Sequence, residues 1–130
     1  MTLDRDAVAR WLAAYVQAWE SYDPEAIGAL FSDNATYAWH PWDTEPVRGR
    51  AAIVAAWVGD KDAPGTYQAE YAPLAIDGDL AVATGRSRYL NSSGAVEREF
   101  HNCFVMRFDE RGQCSAFTEW FMQAPATHSS

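Results

Sequence analysis

A chain of 130 residues, 48% of them hydrophobic, is long enough for one domain with a real apolar core and a small cavity inside it. Its formal charge of −8 argues against nucleic acid or an anionic membrane as a partner, because phosphate binding needs clustered Lys and Arg and no basic stripe occurs. The polar start from Met1 to Asp6 does not read as a signal peptide, and no apolar run approaches the ~20 residues of a membrane span, so the protein is expected to be cytoplasmic.

Val8, Trp11, Leu12, Tyr15, Val16 and Trp19 recur at three- and four-residue spacing and predict an amphipathic helix from 4 to about 21, with an aromatic inner face. Asp23-Pro24-Glu25 supplies an N-cap, a first-turn proline and a first-turn acid, so a second helix begins at Pro24. Ile27, Leu30 and Phe31 give that helix its apolar face, and Ser32-Asp33-Asn34 stops it. The β-prone run 35–39 then predicts a strand ending at His40-Pro41, where an imidazole stands among Tyr37, Trp39 and Trp42. Ile53, Val54 and Trp57 predict a third helix over 49–59. After Gly65 the apolar period changes. Strands are expected at 66–76, 80–90, 95–108 and 113–122, split by Asp77-Gly78-Asp79, Asn91-Ser92-Ser93-Gly94 and a turn over 109–112. Such short separators imply an antiparallel meander, with Pro73 marking a bulge or an edge. The small, polar tail 123–130 reads as disordered, leaving a single domain over 1–122.

Cys103 and Cys114 form no CxxC or zinc pattern, so a structural metal is not expected. Pairing Phe108 with Gln113 across the last turn sets Cys103 opposite Thr118 and Cys114 opposite Arg107, too far out of register for a disulfide.

Helix, helix, strand, helix and a long meander make an α+β chain with helices on one face of a curved sheet. That order resembles the SnoaL-like and nuclear transport factor 2-like (NTF2-like) superfamily from about 8 to 122. The resemblance implies a cystatin-like cone, three N-terminal helices packed on a curved antiparallel sheet around a central pocket. Within it, the segment around Tyr15 resembles the part of ketosteroid isomerase that carries the oxyanion-binding tyrosine. His40-Pro41 stands where that enzyme has Asp-Pro with the general base, and Trp57 where it has a supporting tyrosine. Phe104 falls where the isomerase has a protonated aspartic acid. Half of that oxyanion hole is therefore missing, and steroid isomerisation itself is not implied. Tyr22-Asp23 is similar to a Tyr-Asp pair of scytalone dehydratase, but the partner histidine is absent, with Gln68 nearby, and Asp23 reads first as an N-cap.

The same register turns Phe117, Glu119 and Phe121 of the last strand toward the pocket, with Phe100, Asn102 and Phe104 of the strand before it. His101 and Cys103 face the other side. A carboxylate among aromatics either shifts its pKa upward or finds a partner. The expected constellation is catalytic His40, Glu119 and Tyr15, with His40 shuttling a proton, Glu119 orienting or charging its imidazole, and Tyr15 and Asn102 donating hydrogen bonds to a carbonyl or hydroxyl oxygen on the ligand. Trp19, Tyr37, Trp57, Phe104, Phe117 and Phe121 would line the walls. Each has a plainer alternative: His40 as a satisfied structural residue, Glu119 as the ion-pair partner of Arg86 or Arg88, the tryptophans as core.

These readings point to a cofactor-independent enzyme that isomerises, dehydrates or cyclises a small hydrophobic, cyclic molecule. The competing class is a non-catalytic ligand-binding or dimerisation domain. Limonene epoxide hydrolase-like chemistry lacks its Asp-Arg-Asp set here. The outer sheet face, with Tyr89, Val105, Trp120 and Met122, is expected to be buried in a homodimer.

Overall fold

The change of apolar period along the chain is what divides helices from sheet. In the computed structural model, which describes residues 3–125, α1 (Arg5–Ser21) opens with Asp4 as N-cap, its carboxylate accepting from the Ala7 N–H. It buries Val8, Trp11, Leu12, Tyr15 and Ala18, the stripe that the three- and four-residue spacing requires. Tyr22 ends it in a left-handed conformation, φ 51°, with its N–H on the Ala18 carbonyl. Asp23 then caps α2 (Pro24–Ala29) through the Glu25 N–H.

That helix is shorter than its apolar pattern suggests. Phe31, read as part of the helix face, is instead the first residue of β1 (Phe31–Ala38) and pairs with Cys114. The reason is tertiary. The Leu30 carbonyl accepts from both the Trp11 indole and the Cys114 N–H, which starts the strand before Ser32-Asp33-Asn34. A two-residue strand not foreseen, β2 (Val47–Arg48), pairs with β1, and α3 (Arg50–Val58) follows between Gly49 and Gly59.

The remaining strands are β3 (Tyr67–Asp77), β4 (Leu80–Leu90), β5 (Val96–Phe108) and β6 (Cys114–Gln123), and the six-stranded sheet runs β2-β1-β6-β5-β4-β3. β3 to β6 form the antiparallel meander. β1 lies parallel to β6, so the sheet is mixed rather than wholly antiparallel. Pro73 lies on edge strand β3 beside a register shift, where its missing N–H costs nothing. The last hairpin pairs Phe108 with Cys114 rather than Gln113, and Cys103 with Trp120 rather than Thr118, because a bulge stands between Arg107 and Phe108. Over most of the ladder the register moves by two residues. A slip of two keeps every side chain on its face.

Trp11 packs edge-on to Phe31 and Phe108, while Tyr15 and Tyr37 stack on Phe117 at 5.7 and 4.5 Å. This aromatic layer joins α1 to the sheet. Tyr89 belongs inside and not on the outer face, because it shares its side of β4 with buried Ala81, Ala83 and Ser87. Gln123 still pairs with Phe100, and the Ala124 N–H bonds the Glu99 carbonyl, so ordered backbone passes the expected boundary at 122. Residues 126–130 of the expected disordered tail lie outside the described residues. Among the described residues, no helix is long and apolar enough to cross a membrane.

Candidate functional site

α1, α3 and the inner face of the sheet enclose a cavity of about 350 Å³. Its walls are aromatic, with Trp19, Tyr37, Trp39, Trp57, Phe100 and Phe121 among them. Tyr15, Asn102 and Glu119 border it too. Phe104 and Phe117, each 1% exposed, lie beneath the wall and not in it. They pack against the Tyr15 ring at 5.4 and 5.7 Å and form the floor that fixes it.

The polar part of the cavity is a directed chain. Asn102 Nδ2 donates to Glu119 Oε2 at 2.6 Å, and Asn102 Oδ1 accepts from Ser87 Oγ at 2.9 Å. Having spent its only proton there, Ser87 must accept from the Tyr71 hydroxyl, 2.6 Å away. Ser87 and Asn102 are both buried. Each link donates toward the carboxylate and favours its charged form, yet burial weighs more. Desolvation pushes the Glu119 pKa up from 4.5 to about 7, opposed first by the Asn102 bond and then by the charge of His40. The carboxylate is thus poised to exchange a proton near neutrality. Beside it Tyr15 and Tyr37 share a hydrogen bond of 3.1 Å. Burial raises both hydroxyl pKa values well above 10.0, so both remain protonated donors.

His40 occupies a different place from the one its sequence context suggests. It lies in the turn after β1, half-buried, with Nδ1 3.2 Å from Asp43 Oδ1 and its ring stacked on the exposed Trp42. It touches the rim through Phe121, ring to ring at 5.5 Å, but does not line the cavity and forms no hydrogen bond with Glu119. The cause is local. Asp43 Oδ2 accepts from the Trp39 and His40 N–H groups, and a side chain three or four residues away closes this turn at little entropic cost. The acidic residue just beyond the His-Pro corner was the signal for it. Glu119 is likewise no partner of Arg86 or Arg88, which meet Glu99 and Glu70. His101 also lies near Glu99, at 3.3 Å.

Sequence reasoning missed Tyr71 and Ser87, although strand parity places both on the inner face. It also missed the bonds at the mouth. There Trp19 Nε1 donates to the Tyr22 hydroxyl and to Asp62 Oδ2, and the Asp62 N–H donates to the Tyr22 hydroxyl at 2.9 Å. These bonds tie the connection after α3 to the end of α1. Among the described residues, no three His, Cys, Asp or Glu side chains gather as a metal would require.

The SnoaL-like domain profile matches residues 12–117. Two crystal structures share the fold. A candidate ketosteroid isomerase from Kribbella flavida DSM 17836 is 18% identical, with a TM-score of 0.68 over 98% of this chain and 86% of that one. An NTF-2 like protein of unknown function from Burkholderia xenovorans LB400 is 19% identical, with a TM-score of 0.67 over 93% of this chain and 89% of that one. No curated protein matches the sequence.

Proposed function

The chain belongs to the SnoaL-like domain family, and on that premise we propose that it is a cofactor-independent enzyme moving a proton on a small, largely apolar, cyclic molecule held in the aromatic cavity. The observation that carries this reading is Glu119, a carboxylate with its pKa near 7 at the end of a donor chain. One oxygen is held by Asn102, which leaves the other for a substrate C–H bond. As Glu119 takes that proton, the electron pair moves onto an adjacent carbonyl, and the Tyr15–Tyr37 pair, in which one hydroxyl donates to the other, gives its remaining hydroxyl proton to the developing oxyanion. Returning the proton to another carbon completes an isomerisation. His40, held by Asp43 at the rim, keeps at most an electrostatic influence on Glu119. We place this work in the cytoplasm, where the free thiols of Cys103 and Cys114 stay reduced.

The test is hydrogen exchange on a panel of cyclic ketones in D2O, followed by proton NMR. Wild type should exchange the acidic C–H of at least one ketone, with a rate that rises with pH through about 7. Glu119→Gln should lower that rate about 100-fold or more while the ketone still binds, the usual scale for loss of a general base. A loss under about tenfold removes Glu119 from the chemistry. The second reading, a non-catalytic ligand-binding domain, draws on Phe104 at the position of the isomerase acid and on the commitment of His40 to Asp43. It prevails if ketones bind and none exchanges.

A further inference from the structure

Away from Glu119, the cavity ends in different chemistry. Alternation along β5 sets Arg98, Phe100 and Asn102 on one face, and all three border the cavity. Arg98 stands four residues from Asn102, about 13 Å along the strand toward the mouth. Its guanidinium carbon lies 4.6 Å from the centre of the Tyr89 ring, its cross-strand partner, and 5.9 Å from that of Phe100. Arg86, Arg88 and Arg107 each have a carboxylate partner, whereas Arg98 forms no ion pair among the described residues. Among the described residues it is also the only Arg or Lys that borders the cavity, beside Asp60, Asp62 and Glu119. Of these, Asp62 already accepts from Trp19 and Tyr22. A guanidinium lying over an aromatic face spends no N–H group on an ion pair and keeps its donors for a forked bond to a carboxylate.

We propose that Arg98 anchors a carboxylate on the ligand, so that the cavity takes a flat cyclic acid whose charged end rests at the mouth and whose reacting end lies beside Glu119. This substrate class rests on the reading of the cavity as a ligand site. Aromatic walls hold the ring system between the two ends, and the distance between them suits two linked or fused rings. An ammonium in the same place would meet the positive charge of Arg98 at the Tyr89 face.

The test compares 4′-hydroxybiphenyl-4-carboxylate with its methyl ester and with the 4-aminomethyl analogue by titration calorimetry. Wild type should bind the acid about tenfold more tightly than the ester, the worth of one good charge-assisted contact at a partly wet site. Arg98→Gln should abolish that preference while leaving the affinity for the ester within about twofold, and Arg98→Lys should restore part of it. Equal binding of acid and ester by wild type, a preference for the amine, or an equal loss for acid and ester in Arg98→Gln overturns the proposal. Glu119→Gln should leave the acid-to-ester ratio unchanged, so the anchor and the proton transfer fail separately. If neither acid nor ester binds wild type at about 1 mM, the anchor falls together with the ligand cavity.

Discussion

Glu119 is under two opposed demands, and they leave a signature in stability. Burial holds its folded pKa near 7 against an ordinary value of 4.5, so the folded state binds the proton more tightly than the unfolded chain does. That contribution to stability is complete below pH 4.5 and is lost as pH rises through 7, worth roughly 3 kcal/mol at most. Glu119→Gln has no such charge to desolvate. Its stability relative to wild type should therefore improve between pH 4.5 and pH 8, as measured by urea denaturation at both values. A constant difference would mean that the carboxylate is better solvated than its surroundings imply. Strand parity alone made Glu119 legible, because inward Phe117 and Phe121 flank it at two-residue spacing. His40 was legible as a polar residue at a strand end but not in its partner. The sequence gives no scale on which a turn carboxylate three residues away outweighs a distant strand residue, whereas chain entropy does.

Among elements, the β3–β4 ladder shows why one glycine cannot be replaced. Gly85 lies opposite Tyr71, and a Cβ there would overlap the Glu70 carbonyl oxygen and the Tyr71 ring. Its φ is ordinary for any residue, so the constraint is close approach alone. Gly85→Ala should push β3 outward, strain the Tyr71–Ser87 bond and cost about 2 kcal/mol, read as a lower melting temperature. An unchanged melting temperature would show that β3 can shift freely. The strands of the meander lie within about one residue of their expected limits, because Asp77-Gly78-Asp79 and the Gly112 turn punctuate the chain locally. The parallel pairing of β1 with β6, the two residues of β2 and the early end of α2 were not legible. All three depend on partners far along the chain, such as Cys114 for Leu30.

For the whole molecule, the helices cover one face of the sheet and leave the other bare. On that bare face Met122 is 76% exposed and Trp120 43% exposed, with Val105 nearby on β5. Exposed apolar side chains this large on neighbouring strands are better buried than solvated, and a closed two-fold pairing buries the same patch on both copies without leaving an open edge for further growth. Tyr89, turned into the cavity, takes no part. Arg86, Arg88, Glu70, Glu99 and His101 supply both signs of charge around the same strands, a rim that a second copy rotated by 180° can match. The chain is therefore expected to sediment at twice its 14.5 kDa mass at about 10 μM, a concentration at which an interface of ordinary size is fully formed. Trp120→Glu should return it to a monomer without altering the cavity, since Trp120 does not line it. Wild type sedimenting as a monomer at that concentration would show the bare face to be content with water.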